Sequence, residues 1–267
     1  MLADVVDAYR RTKKPRDILW NRFVARPLAA VLIVPLARTR VTPNQVTFAT
    51  LVVFLAGAAM LAACPAHGAL LASVVILELS YVLDCVDGQL ARLKGTSSPV
   101  GAHLDFLMDE IKAFVLVAAV AIRLWRGATV ANVPTLPTLY RWPPDLWLLE
   151  GLLGLAAVAT AISLTTFVRR PEYAAATGAA VAHGAGDYGG GFEAAAPAAP
   201  RRRSPLALVE ALGRFVVHYP SYIVFVAIAN RMDLFLHAYV GLNAAYAARS
   251  LLGIARKLGR GAPRGAA

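Results

Sequence analysis

The chain has 267 residues, 58% of them hydrophobic and 16% charged, with a mean hydropathy of +0.57, a net charge of +11 and a pI near 10.1. That composition leaves too little polar surface to cover a water-soluble domain of this length and predicts a membrane protein. The basic residues fall in blocks, which suits anionic lipid or a phosphorylated substrate and not nucleic acid, and the two cysteines, Cys64 and Cys85, exclude a disulfide scaffold or thiolate metal cluster.

The first twenty residues, "MLADVVDAYRRTKKPRDILW", have no apolar core followed by a small-residue cleavage site, so the N-terminus is expected to stay cytoplasmic. Residues 5 to 40 alternate basic clusters with a modest apolar stretch interrupted by Pro27 and Pro35, which predicts an interfacial helix. "VTPNQVT" follows, where Pro43 and Asn44 mark a turn or a helix start.

Apolar runs then predict six spans at 45–65, 68–92, 102–125, 147–168, 207–229 and 233–255, each able to cross about 30 Å of hydrocarbon. Six crossings put both termini on one side. Basic residues of the first 44 positions, Arg92 and Lys94, the stretch from Arg169 to Arg203, and the tail from Arg256 to Arg264 all fall on that side, which makes it cytoplasmic. The expected architecture is an all-α polytopic membrane protein with six transmembrane helices plus an N-terminal interfacial helix. A cytoplasmic or interfacial segment covers 1–44, the membrane domain 45–257, and a cytoplasmic tail 258–267.

Residues 171–200 are mostly alanine, glycine and proline and predict a flexible cytoplasmic loop within 171–204, in which His183 and Asp187 are incidental. In the fifth span, His218 and Tyr219 precede Pro220, which frees a backbone carbonyl; these residues and Asn230 read as ordinary helix packing.

The chemistry concentrates in "DCVDGQLARLKGTSSPVGAHLDFLMDE", residues 84–110. Asp84, Asp87, Gly88, Ala91 and Arg92 recur every three or four residues and share one helical face, as do Gly101, Asp105 and Asp109 at the start of the next helix. Two helices joined by a short turn then present two pairs of carboxylates to each other. Bare, they would repel strongly, and more so at membrane depth. The plain alternative is that the aspartates cap helix starts or balance Arg92 and Lys112, but capping needs one carboxylate at an end and not two faces of them. A divalent cation, or a pair, resolves the repulsion, and oxygen-only ligands favour Mg²⁺, Mn²⁺ or Ca²⁺ over zinc. Gly88, Ala91 and Gly101 leave room for a bulky ligand or a neighbouring backbone, and Arg92 offers a two-pronged donor to phosphate or carboxylate. Buried aspartates on paired helices also form cation pathways, so a divalent cation transporter is the rival reading; these acids, however, lie near one membrane face.

The order Asp84, two residues, Asp87-Gly88, two residues, Ala91-Arg92, eight residues, Gly101, three residues, Asp105, three residues, Asp109 resembles in full the signature of the CDP-alcohol phosphotransferase family. The Thr42-Pro43-Asn44 entry to the first span and the six-span plan are similar to that family as well; the 171–200 stretch is outside its pattern. The resemblance implies a homodimeric enzyme of the bacterial inner membrane, its active site facing the cytoplasm. It would transfer a substituted phosphate from a CDP-linked donor to an acceptor hydroxyl and release CMP, using one or two divalent ions per subunit. It assigns Asp84, Asp87, Asp105 and Asp109 to the metal, Asp109 also as the base, and Asp84, Asp87, Gly88, Ala91, Arg92 and Asn44 to the cytidine diphosphate pocket. The expected donor is CDP-diacylglycerol and the acceptor a small polar alcohol or phosphoalcohol, inositol phosphate or glycerol phosphate among them. A soluble CDP-alcohol passing its phosphoalcohol to a lipid or sugar acceptor is the alternative, and an inert scaffold a further one. Lys112, Arg169 and Arg170 are candidates for an acceptor phosphate, each also readable as an interface anchor.

Overall fold

The computed structural model describes residues 2–12, 20–129, 137–177 and 218–259, which are helical with connecting turns; among them no strand occurs. Helix α1 (Leu2–Thr12) is followed by a π-helical turn at Asn21–Ala25 that runs directly into α2 (Arg26–Ala37), with a proline at its start and Pro35 inside it. Small residues make this segment pack closely. Ala25, Ala29 and Ile33 are buried against Val82, Val86 and Leu90 of the fourth helix, while Leu28 and Val31 stay exposed.

Helix α3 (Pro43–Ala63) begins with a reciprocal cap in which Thr42 Oγ1 accepts from the Gln45 N–H and Gln45 Oε1 accepts from the Thr42 N–H, as Pro43-Asn44 foretold for a helix start. Its far end is held by Arg123, a fully buried arginine whose guanidinium donates to the carbonyls of Cys64, Pro65 and Ala66. That turn leads into α4 (His67–Lys94), which ends at Gly95 with φ +66°. The Thr96 N–H bonds Ala91 O and the Gly95 N–H bonds Arg92 O, a left-handed closure that glycine adopts without a Cβ penalty. Ser98 then caps α5 (Pro99–Thr129) by accepting from the Gly101 N–H.

Helix α6 (Pro144–Val168) runs antiparallel to α5, and the two approach closely at two glycines. A Cβ on Gly151 would stand 2.5 Å from Ala121 Cβ, and one on Gly154 would stand 2.6 Å from Val240 Cγ2 and 3.0 Å from Val117 Cγ1. Helix α7 (Pro171–Thr177) occupies the first seven residues of the alanine-rich stretch; the rest of it, with His183 and Asp187, lies outside the described residues. After a 3₁₀ turn at Tyr219–Ser221 come α8 (Ile223–Ile228) and α9 (Met232–Leu258), the latter parallel to α6. Phe54, Leu77, Leu116, Val120, Trp147 and Phe235 form the shared core of α3, α4, α5, α6 and α9.

Among the described residues three helices, α3, α4 and α6, are long and apolar enough to cross a membrane. Helices α5 and α9 have the length, 31 and 27 residues, and α5 carries Asp105, Asp109, Glu110, Lys112, Arg123 and Arg126, which dilute its apolar character. The expected fifth span differs from a continuous helix where it is described. Pro220 brings no N–H to a helical ladder, and residues 219–221 form the 3₁₀ turn, followed by Tyr222 at φ −137°. Asn230, read as packing, instead takes φ +53° and closes α8: the Asn230 N–H bonds Ala227 O and the Arg231 N–H bonds Val226 O.

Candidate active site

One helix end and two helix starts build the site. The C-terminal part of α4 carries Asp84, Asp87, Gly88, Ala91 and Arg92, the first turns of α5 carry Gly101, Asp105, Asp109 and Lys112, and the start of α3 supplies Asn44 and Thr47. Capping by Thr42, Gly95 and Ser98 fixes where these three helices start or stop.

Asp84, Asp105 and Asp109 each offer a carboxylate oxygen, and these oxygens lie within 4.8 Å of one another. The spacing and the all-oxygen donor set fit a hard divalent cation, whose ligand oxygens on opposite sides are separated by about twice a 2.0–2.6 Å bond. Asp105 adds a second sign: its Oδ1 is buried and receives no hydrogen bond among the described residues, so an acceptor is left for an ion to satisfy.

Lys112 reaches into this trio. Its ammonium donates to Asp84 Oδ1 and, at 3.1 Å, to Asp109 Oδ1, with only 6% of its side chain exposed. It is therefore an internal partner of the aspartates and not an anchor stretched toward lipid headgroups. The two carboxylates it bridges differ in access, with the Asp84 side chain 15% and the Asp109 side chain 37% exposed. Asp109 is the open one.

The remaining signature residues surround the trio. Asp87 is buried and its Oδ2 accepts a 2.6 Å hydrogen bond from Thr47 Oγ1 of α3, so it is tied to a neighbouring helix. Arg92 Nε donates to Thr12 O at the end of α1, and its guanidinium lies over Gly88, where a Cβ would stand 3.5 Å from Arg92 Nη1. Ala91 is half-buried on the same face. Asn44 lies beside Gly101, its Oδ1 3.6 Å from the place a Cβ would take there, which brings the α3 start to the mouth of the site. Arg169 and Arg170 close α6 at the end of the bundle that holds the start of α5, because α6 is antiparallel to α5.

The sequence reading missed two supports. Thr47 follows Pro43-Asn44 by one turn, and only the approach of α3 to α4 makes it the donor to Asp87. The other is a polar chain beside the site. Tyr81, one turn before Asp84, donates to Asn21 Oδ1 at 2.5 Å and stands 2.6 Å from His218 Nε2, while His218 Nδ1 stands 2.5 Å from Ser221 Oγ. With its proton directed to Asn21, Tyr81 accepts from Nε2–H, and Nδ1 accepts from Ser221. His218 thus pins the 219–221 turn to α4, a role other than the helix packing expected for it.

The matches to known proteins converge on the same segment. The family model described as CDP-alcohol phosphatidyltransferase matches residues 40–183, just over half of the chain. A bifunctional IPC transferase and DIPP synthase of Aquifex aeolicus is 30% identical over 105 residues, covering 38% of this chain and 23% of that protein. A protein of the same description from Archaeoglobus fulgidus is 29% identical over 111 residues, 42% of this chain and 21% of its own. An archaetidylinositol phosphate synthase of Aeropyrum pernix is 40% identical over 78 residues, 28% of this chain and 37% of its own. The matched region spans between a fifth and two fifths of these relatives' own lengths. With the eight signature positions intact and the family model covering the helices that carry them, the chain belongs to the CDP-alcohol phosphatidyltransferase family.

Proposed function

We propose that the protein transfers the phosphatidyl group of CDP-diacylglycerol to the hydroxyl of a small polar phosphoalcohol, inositol phosphate first and glycerol phosphate second, and releases CMP. The observation that carries this reading is the meeting of Asp84, Asp105 and Asp109 at one point between α4 and α5, inside a chain of this family. The names of its relatives, an archaetidylinositol phosphate synthase among them, favour the inositol phosphate acceptor.

Asp84, Asp105 and Asp109, with Asp87 beside them, would hold one or two divalent ions, Mg²⁺ before Mn²⁺ or Ca²⁺, which offset the charge of the diphosphate when bound. The protein's own groups do the rest. Asn44, Gly88, Ala91 and Arg92 line the space for the cytidine diphosphate, the small residues by leaving it open and Arg92 by donating to phosphate oxygens. The acceptor hydroxyl attacks the phosphorus that carries the diacylglycerol, its O–P bond forms as the diphosphate bridge breaks, and CMP departs with the bridging oxygen. Asp109, the most open of the trio's bridged pair, takes the hydroxyl proton; a carboxylate is a modest base and works here by position. Lys112, Arg169 and Arg170 are the cations available to the acceptor's own phosphate. Lys112 would serve it from among the aspartates and the arginines from the end of α6.

The blocks of basic residues support a cytoplasm-facing site. Arg92, Lys94, Arg169 and Arg170 lie at the bundle end that holds the aspartates, which orients that end toward the cytoplasm of a bacterial inner membrane. The chain acts there as a homodimer with six crossings, its 1–44 segment at the interface and 171–204 as a cytoplasmic loop.

The test is CMP release by the purified, detergent-solubilised protein with Mg²⁺ or Mn²⁺ and CDP-diacylglycerol, across glycerol 3-phosphate, inositol 1-phosphate, inositol and serine. Release stimulated by inositol 1-phosphate supports the full reading. Release only from a soluble CDP-alcohol reverses the donor, and none from either donor by folded protein removes the transferase reading.

A further inference from the structure

Lys112 is one turn beyond Asp109 on α5, and 4% of the residue is exposed. Its ammonium has two carboxylate partners, Asp84 across the interface with α4 and Asp109 on its own helix. Those same two residues supply two of the three oxygens that stand within 4.8 Å of one another. The lysine and a divalent ion therefore draw on a shared set of negative groups. A buried ammonium is held in place because carboxylates compensate its lost hydration, and three aspartates this close need a counter-charge to fold together.

Resting on the metal reading above, we infer that Lys112 is a tethered counter-ion that holds Asp84 and Asp109 together and competes with the divalent cation for them, thereby setting the affinity of the metal site. An ion that takes oxygens already bonded to the ammonium must displace or weaken those bonds, so part of its binding free energy goes into that exchange and its apparent affinity falls. The arrangement has a use in folding: the carboxylates find a partner within the chain before an ion arrives. It also makes Lys112 mobile in function, since an ammonium released from Asp109 stands where an acceptor phosphate can be met.

Mn²⁺ binding to the detergent-solubilised full chain, followed by loss of the free-ion EPR signal, compares wild type with K112M and K112Q. Both variants are expected to bind Mn²⁺ about tenfold tighter than wild type. Their thermal midpoint in EDTA is expected to fall by several degrees and to be regained with Mn²⁺, with a smaller Mn²⁺ response in wild type. A structural lysine with no competing role would not tighten metal binding when removed. Equal or weaker Mn²⁺ binding by a variant that elutes and melts as folded protein overturns the competition and leaves the metal reading standing. No binding by wild type overturns both, and failure of both variants to fold even in Mn²⁺ overturns the inference because the ion then cannot replace the lysine. CMP release fails by itself if the metal reading is right and the transfer reading wrong.

Discussion

Thr47 Oγ1 donates a 2.6 Å hydrogen bond to Asp87 Oδ2, joining the start of α3 to the signature face of α4 forty residues away. Asp87 is 5% exposed and Thr47 4%, so neither partner has water to fall back on. The bond gives one of the four aspartates a fixed orientation.

Thr47→Val keeps the shape of the side chain and removes the donor. The expected cost is about 1–3 kcal/mol of stability, the usual penalty for a buried acceptor left without its partner. Thermal unfolding in detergent measures it, and an unchanged midpoint would show that the bond contributes nothing net. Donor binding should weaken as well, because Asp87 is no longer held.

Asp109→Asn and Asp84→Asn should separate chemistry from binding. Asn at 109 keeps the size of the most open carboxyl while removing a base, so CMP release should drop by about 10²–10⁴-fold with most CDP-donor binding retained. Asn at 84 should cost both turnover and metal-dependent donor binding. EDTA should abolish release from wild type, and Mg²⁺ or Mn²⁺ should restore it. Turnover in Asp109→Asn equal to wild type would remove the proposed proton acceptor.

Arg92→Lys tests whether the guanidinium is needed for its geometry or only for its charge. Arg92 reaches Thr12 O through Nε, and its guanidinium spreads two further nitrogens in a fixed plane, a geometry a single ammonium cannot reproduce. Steady-state kinetics should show a raised KM for the CDP donor, with kcat changed less. A KM that stays at the wild-type value would count against donor contact.

Gly154→Leu probes the bundle and not the site. A Cβ alone would already stand 2.6 Å from Val240 Cγ2, so a larger side chain must push α6 away from α5 and α9. Overpacking of this kind costs about 1–3 kcal/mol or more, seen as a lower unfolding midpoint. Leu at Gly241, where a Cβ meets nothing within 4 Å, should leave the midpoint near wild type.

Much of the site was legible because its residues are local in sequence. Asp84, Asp87, Gly88, Ala91 and Arg92 repeat at helical spacing, and a single helix places them on one face whatever it packs against. The same holds for Gly101, Asp105 and Asp109, and hydropathy marked α3, α4 and α6 as long apolar helices. Pro43 and Asn44 also marked a turn or helix start where α3 begins, although the Thr42 cap itself was seen only in the structure.

Contacts between helices were not legible. Thr47 on Asp87, Lys112 on Asp84, Tyr81 between Asn21 and His218, and Arg92 on Thr12 join residues 28 to 137 positions apart. Nothing in their local spacing specifies which faces will meet. The break at 219–222 is of the same kind: Pro220 weakens a helix, but His218 bonded to Ser221 and Tyr81 decides the shape that replaces it. The sequence alone determined the long helices from α3 to α6 and the faces that carry carboxylates, because periodicity and capping act within a few residues. Tertiary structure alone decided which carboxylates converge and which cation meets them, because those depend on how α3, α4 and α5 pack.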